Sequence, residues 1–249
     1  MEIGIYCTSI RPHLWKGLHE SLSQNNANFN LCIAGPCPPT KPLPTNAKYI
    51  YTNVKPAQCA FIAANNTKGD YITMMSDDAR LSAGALDNLL KIIITEQKTI
   101  VSSVWQILGS AKAHYSLVVE WGYQRSDNKV RTINLNFPWP IAGLIRREDY
   151  DELGVDKNFI GGFWELDTIF EFVSRGGKII IDENSIFTEE GEHYHLGALS
   201  VSIGDYQKFL DMWINKDKVR TERRVPIDSL IYNDTVLTVS QGPKLDCWN

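Results

Sequence analysis

The sequence predicts an α/β fold: a mostly parallel mixed sheet flanked by helices on both faces. Three observations carry that expectation. Short apolar runs alternate with segments of helical spacing through the N-terminal part of the chain, the pattern of strand–helix–strand units. One of those runs, Tyr71-Ile72-Thr73-Met74-Met75, is nearly uniformly apolar, as a strand covered on both faces must be. The length, 249 residues with 43% hydrophobic and 22% charged side chains, is enough for one large domain that needs no disulfide or metal to hold its core.

The elements follow in order. Ile3 to Cys7 reads as a strand, and Arg11-Pro12 after it suits a helix start, because proline's fixed φ and missing N–H cost nothing in a first turn. Leu14, Trp15, Leu18 and Leu22 recur at three- and four-residue steps, one face of a helix that ends at the Asn-rich stretch Gln24–Asn28. Phe29 to Ala34 is a second strand stopped by Gly35-Pro36, and Pro36 to Pro44 is a proline-rich loop. Lys48 to Thr52 is a third strand, and Pro56 to Thr67 an alanine-rich helix. Gly69 turns the chain into Tyr71–Met75, which ends at Ser76-Asp77-Asp78. A helix from about Ser82 to Glu96 and a strand over Thr99–Trp105 complete the alternation.

The middle of the chain changes character. Tyr115–Trp121 and Val130–Asn136, separated by the polar Gln124–Lys129, predict a small antiparallel pair. Apolar Ile141–Ile145 follows the turn Phe137-Pro138-Trp139-Pro140, then a short helix around Arg147–Leu153. Trp164 to Ser174 has helical spacing and stops at Gly176-Gly177, and Lys178 to Ile181 is a further strand. Tyr206, Leu210 and Trp213 fit one helix face; the residues beyond show no clear pattern.

Net charge is −4, from 25 basic and 29 acidic side chains, and this speaks against a nucleic-acid partner, whose binding face needs a basic excess. The five cysteines, Cys7, Cys32, Cys37, Cys59 and Cys247, are odd in number and lack metal-site spacing, which fits a reducing, cytoplasmic setting. Met1 to Ile10 has neither a basic start nor a long apolar run, so no signal peptide is expected. No stretch reaches the ~18 apolar residues of a spanning helix.

Ser76-Asp77-Asp78 is the strongest chemical signal. In open α/β sheets ligands sit at the carboxyl ends of strands, and two acids there repel unless a cation or hydrogen-bond donors lie close. Hard divalent ions take carboxylate oxygens and leave positions for phosphate, which suits Mg²⁺ or Mn²⁺ with a diphosphate. The plainer alternative is an acidic pair capping the following helix. Glu165 and Asp167, two apart at a helix start, point in different directions, so one can serve a site while the other caps. His193 and His195, also two apart, share one face of an extended segment, a geometry open to metal ligation or to plain surface exposure. His13, His19 and His114 read as structural. Arg11 and Arg80 suit phosphate, or are surface charges.

Taken together, these segments resemble the family-2-like inverting glycosyltransferases of the GT-A fold. Ile3–Arg11 is similar to that family's first strand and its Thr-x-x-Arg continuation, here Thr8 and Arg11. Lys68-Gly69-Asp70-Tyr71-Ile72 with Ser76-Asp77-Asp78 resembles the Gly-(Asp/Glu)-Tyr-Ile strand leading into the DXD motif. Glu152-Leu153-Gly154-Val155-Asp156 with Phe159 resembles the Leu-Gly-x-Phe-Asp-x-x-Phe segment before the acceptor-side acids, and Gly176-Gly177-Lys178-Ile179 the family's Gly-Tyr-Lys-Ile. Two departures stand out. The second strand ends in Ala34-Gly35-Pro36, where the family has an acid contacting the donor's base, and the family's Glu-Asp pair is here Trp164-Glu165.

The resemblance covers roughly residues 1–200, with a donor half at about 1–105, an acceptor half at about 106–200, and a C-terminal helix and tail over 201–249. It implies sugar transfer from a nucleoside-diphosphate sugar to a hydroxyl of a glycan, lipid-linked or protein acceptor, in glycan or polysaccharide synthesis. Asp78 is then the ligand of Mn²⁺ or Mg²⁺, completed by His195 or His193, while Asp77 holds the ribose or a metal-bound water. Thr8, Arg11 and Arg80 fall on the donor side. Glu165 falls in the slot of the catalytic base, with Asp167 as the fallback. Trp139, Phe163 and Trp164 are candidates for stacking on an acceptor sugar, or for packing. Two other readings stay open: a non-catalytic sugar-nucleotide or glycan-binding module, and a nucleotidyltransferase, whose Gly-rich phosphate loop is missing from Cys7–Arg11. The tail can pack on the domain, form a dimer contact or, through the basic run Lys216–Arg224, touch a membrane surface peripherally.

Overall fold

The structure, a computed structural model, describes residues 1–107, 113–114, 119–124, 130–135, 143–189, 204–205, 207–214 and 224–225. Strand β1 (Glu2–Thr8) lies at the centre of a five-stranded sheet. It pairs in parallel with β2 (Asn28–Gly35) on one side and with β4 (Tyr71–Met74) on the other. β3 (Ala47–Tyr51) adds a parallel edge beyond β2. The return connections are α1 (Trp15–Leu22), between β1 and β2, and α2 (Pro56–Asn66), between β3 and β4.

Alternation along β1 places its side chains in two different cores, since successive residues of a strand point to opposite faces. Ile3, Ile5 and Cys7 join Trp15, Leu18, Leu22, Leu86 and Leu89 on one face. Tyr6 joins Phe61, Tyr150, Trp164 and Phe172 on the other. The sheet is therefore covered on both sides, as the uniform hydrophobicity of Tyr71–Met75 implies.

β5 (Ala79–Leu81) and α3 (Ala85–Ile93) follow β4, and β6 (Thr99–Ile107) and β7 (Ala113–His114) come next. A second, four-stranded sheet runs in the order β5, β12 (Lys178–Glu189), β6, β7. The two sheets are stitched at one point, where Val101 and Leu144 exchange backbone hydrogen bonds of 3.0 and 2.8 Å. Leu144 runs directly into β10 (Ile145–Arg146), which pairs antiparallel with β4. β8 (Val119–Gln124) and β9 (Val130–Leu135) form the expected antiparallel pair. α4 (Arg147–Leu153), β11 (Val155–Asp156) and α5 (Trp164–Ser174) follow, and Arg224–Val225 pairs with β11 as β13.

Several expectations change. The Ser76-Asp77-Asp78 turn leads into the strand β5 rather than into a helix, and α3 begins only at Ala85 after Gly84, so the acid pair caps nothing. α1 starts at Trp15, because Arg11 to Leu14 form a turn closed by the Leu14 N–H on the Arg11 carbonyl, 3.0 Å. β12 continues eight residues past Ile181, to Glu189. Its pairing with β6 slips between Asp182 and Ile186, where the Asp182 carboxylate accepts from the Asn184 N–H and the Ser185 hydroxyl. That polar interruption breaks the periodicity by which a strand is recognised. Of the helix face drawn through Tyr206, Leu210 and Trp213, Tyr206 lies outside the described residues, and Leu210–Ile214 forms a π-helical turn with Trp213 buried.

Candidate active site

The parallel strands of the first sheet end together at Thr8, Gly35, Tyr51 and Met74, and the candidate residues gather around that carboxyl edge. At the opposite, amino edge an open cavity of about 860 Å³ is lined by Glu2, Asn25, Asn28, Asn46 and Asp70. Its polar groups are committed locally: Asp70 accepts from the Glu2 N–H, and Asn46 pairs with His19.

Asp77 is buried, 3% exposed, in the turn after β4. The Ser9 hydroxyl donates to its Oδ2 at 2.5 Å, and Arg11 Nε donates to the same oxygen at 3.1 Å. Arg11 Nη2 also donates to Asp77 Oδ1 and pairs with Asp78 Oδ2 at 3.1 Å. One guanidinium thus spans both carboxylates. The cation that two adjacent acids require is supplied by the chain itself, 66 residues upstream in sequence. Ser9 is the hub beneath: its hydroxyl also accepts from the Trp15 indole N–H at 2.6 Å and from the Arg11 N–H at 3.0 Å. Desolvation works against the Arg11 charge, yet the two carboxylates raise its pKa overall.

Arg80 engages the backbone of the same turn. Its Nη1 donates to the Asp77 and Ala79 carbonyls, at 3.2 and 2.7 Å, and its guanidinium lies against Gly17 of α1, where a Cβ would collide with it. Thr8 closes β1 with its hydroxyl beside the Cys59 thiol of α2, a thiol that burial pushes up to about 12. Gly35 explains one departure from the family pattern. A Cβ there would fall on the Ser9 carbonyl oxygen, so no acidic side chain fits at the end of β2. The Gly35 carbonyl instead accepts from the Tyr49 hydroxyl, 2.5 Å, and the Thr52 N–H, 2.9 Å.

On the other face of β1, α5 brings in the second acid group. Phe163 at its N-cap has φ +62°, a left-handed conformation that costs a β-substituted residue about 1–2 kcal/mol. Glu165 in the first turn is half-buried, and its Oε2 is enclosed with no hydrogen-bond partner among the described residues. Burial raises its pKa to about 7; its own backbone N–H opposes that shift and the nearby Asp205 carboxylate adds to it. Tyr6 links this acid to the first group. Its ring lies 6.2 Å from that of Trp164, while Cys7, the next residue of β1, feels the charges of Asp77, Asp78 and Arg11.

Asp167 stands apart from Glu165. It is 1% exposed, and its Oδ1 accepts from the Trp213 indole N–H at 2.8 Å. Phe163 and Trp164 are buried as well. Phe163 packs on Phe209, and Trp164 packs edge-on against Phe61 at 5.4 Å. The geometry favours packing over sugar stacking for both. His193, His195 and Trp139 lie outside the described residues. His19 is structural, bonded to Asn46 and lying against Phe29.

Two residues were not legible as site residues. Lys55, 4% exposed, precedes α2, whose Ala57 N–H donates to the Ile160 carbonyl in the loop before α5. Asp205, 0% exposed, accepts from the backbone N–H groups of Ile160, Gly161 and Gly162. A lysine beside a proline and an isolated aspartate carry no local signature, and only tertiary placement reveals them.

A metal would have to be held here by hard oxygen donors. The chemistry of the Asp77–Asp78 pair fits a hard divalent cation in part: Asp78 is the more exposed carboxylate, while both oxygens of Asp77 are engaged. Among the described residues no group of three or more potential ligands comes together.

No protein-family model matches the chain, and no curated protein matches it. Solved structures do. The Staphylococcus aureus TarS fragment 1–349 superposes with a TM-score of 0.57 at 10% identity, covering 89% of this chain and 76% of that one. The same fragment in complex with UDP gives 0.56 at 11% identity over the same shares. In complex with UDP-GlcNAc it gives 0.55 at 12% identity, over 89% and 77%. At this identity the likeness establishes the fold, which is GT-A-like: a mostly parallel mixed α/β sheet flanked by helices, as in the glycosyltransferase TarS. Among the described residues no helix is long and apolar enough to cross a membrane.

Proposed function

We propose that the protein is an inverting glycosyltransferase that moves a sugar from a nucleoside-diphosphate sugar to an acceptor hydroxyl, with Glu165 as the general base. The observation that carries the reading is Glu165 itself, an unpaired carboxylate oxygen at the N-terminus of α5 with a pKa near 7. A base is most effective when its pKa lies near the working pH, because it is then available in the charged form yet still draws the proton. The GT-A-like fold supports the donor class, since the TarS structures include UDP and UDP-GlcNAc complexes. The acid pair at the carboxyl end of β4 supports the donor's position.

In this mechanism Glu165 takes the proton of the acceptor hydroxyl as that oxygen attacks the anomeric carbon from the face opposite the diphosphate. The transition state resembles an oxocarbenium ion, as in inverting glycoside chemistry with an acceptor in place of water. Asp77, locked by Ser9 and Arg11, keeps the turn after β4 rigid. Arg11 is partly buried beside the acids and supplies positive charge next to the departing diphosphate. Asp78 would hold Mn²⁺ or Mg²⁺, with His193 or His195 as further ligands; when bound, the ion neutralises charge growing on the diphosphate. Asp167, committed to Trp213, takes no part in proton transfer.

One observation favours a second reading. Arg11 already pairs with both Asp77 and Asp78 and offsets one of their two charges without a metal, as it would in a sugar-nucleotide-binding module that retained the fold. Nucleotide release from UDP-, GDP-, dTDP- and CDP-sugars, with and without Mn²⁺, separates the two. Turnover of one donor that is lost in Glu165→Gln supports the transferase. Nucleotide binding without turnover of any donor, with or without added sugar acceptors, supports the module.

A further inference from the structure

The described part of the C-terminal segment, residues 204–205 and 207–214, touches α5 and the loop before it at three separate places. Asp205 Oδ2 accepts from three consecutive backbone N–H groups, those of Ile160 at 2.8 Å, Gly161 at 2.6 Å and Gly162 at 3.2 Å. Its Oδ1 pairs with Lys208 Nζ at 3.0 Å, and Lys208 also donates to the Asn158 carbonyl of the same loop. Phe209, 0% exposed, lies between Phe163 and Phe170, with ring centroids at 5.7 and 5.2 Å. Trp213 bonds Asp167 and packs on Phe170.

The loop so held is the one that aims Glu165. Three successive N–H groups turned toward one point form a concave anion site, and a buried carboxylate is its natural occupant. The same loop ends at Phe163 in the left-handed region, a conformation that persists only where surrounding contacts over-determine it. α2 braces the loop from the other side through Ala57 and Ile160. With Asp205 removed, the three part-buried N–H groups would lose their shared acceptor, and the loop would relax toward other φ/ψ values.

We propose that Asp205 is a positioning residue for Glu165: its carboxylate, seated on the backbone of residues 160–162, fixes the loop that sets the first turn of α5. The inference rests on the reading of Glu165 as the base and assigns the C-terminal segment a role in that site. Among the described residues, the titratable groups near Glu165 are Tyr6 of β1, itself beside Tyr150 and Arg147 of α4, and Asp205 with its partner Lys208. Burial holds the Tyr6 hydroxyl far above its ordinary range, so it stays neutral while Glu165 titrates. Asp205 therefore acts on Glu165 in two ways, by placing it and by adding negative charge nearby.

The test follows two signals in the full chain, for wild type, Asp205→Asn and Asp205→Ala. One is amide hydrogen exchange at 160–162, and the other is the titration of the Glu165 carboxyl carbon by NMR, assigned with Glu165→Gln. In Asp205→Ala the three amides should exchange at least ~10-fold faster relative to those of α2, a local opening. In both variants the Glu165 midpoint should fall from about 7 by roughly half a unit or more, as a like charge is removed. A general loss of stability would move neither signal selectively. Unchanged amide protection in Asp205→Ala together with an unchanged midpoint in Asp205→Asn overturns the proposal. If Asp205→Ala does not fold, Asp205→Asn, which keeps an acceptor oxygen and the side-chain shape, carries the decision on the midpoint alone. Neither signal needs turnover. If Glu165→Gln kept full nucleotide release, the base assignment would fall while these measurements still decided the role of Asp205.

Discussion

The two acid groups at the carboxyl edge of the sheet are built on opposite principles. Asp77 and Asp78 sit side by side and share one guanidinium, with a serine hydroxyl beneath them, so half of their charge is offset before any ligand arrives. Around α5 the charges are distributed unequally. Asp167 is bonded to an indole and Asp205 to three amides and a lysine, while Glu165 and Glu171 each have an enclosed oxygen with no partner among the described residues, Glu171 being paired through its other oxygen with Arg175. Hydrogen bonds to a carboxylate favour its charged form and burial disfavours it; at Glu165 burial outweighs the bond from its own backbone N–H. Burial moves the Glu165 pKa up to about 7, the range where a base works.

Removing Glu165 should produce the largest effect on activity. Glu165→Gln keeps the shape and removes the base, so nucleotide release with acceptor present should fall about 10²–10⁴-fold. The melting temperature should hold or rise, since a desolvated carboxylate is replaced by a neutral amide. Arg11→Met attacks the paired group instead. It leaves Asp77 buried beside Asp78 without a counterion and should cost about 3–5 kcal/mol, read by chemical denaturation. Arg11→Met together with Asp77→Asn should recover part of that loss, a coupling absent between Arg11 and Glu165.

Smaller effects sharpen the contrast. Gly35→Ala drives a methyl onto the Ser9 carbonyl and should cost about 1–3 kcal/mol, disturbing the Ser9–Asp77 bond without touching α5. Asp167→Asn weakens the bond to Trp213. It should cost about 1 kcal/mol and reduce turnover far less than Glu165→Gln. If the two losses of turnover were equal, the division of labour between these neighbouring acids would be wrong.

Stability should respond to pH through the same residue. The folded pKa of Glu165 is raised above its ordinary value of 4.5, to about 7, so the neutral form is favoured by folding. Its contribution to stability is present in full below about pH 4.5 and is lost as pH rises through 7. Unfolding free energies of wild type and Glu165→Gln should therefore diverge across that interval, the variant losing less.

Legibility in the sequence divided along a physical line. The parallel strands and helices up to β6 are written in local periodicity, and α5 is found at its true bounds, Trp164 to Ser174. β5 has three residues and follows a polar turn, too short for a period to show. β12 is hidden past Ile181 because Asp182 to Ser185 bond among themselves. The candidate acids are legible from their order along the chain, but their chemical states are not. That Arg11 neutralises Asp77 across 66 residues, that Asp167 is taken by Trp213 and that Asp205 holds the loop before α5 are facts of tertiary contact. The absence of an acid after β2 is legible; its cause, the Ser9 carbonyl lying where a Cβ would be, is not.

The central claim is that Glu165, one oxygen of which is enclosed with no partner among the described residues, performs the proton transfer. The most direct measurement is the pH dependence of kcat for nucleotide release from the preferred donor at saturating acceptor, in wild type and Glu165→Gln. The account predicts a wild-type rate that rises through a single acid limb near pH 7 and then levels, and a variant slower by at least ~10²-fold in which that limb is gone. A variant that retains both the limb and the wild-type rate would contradict it.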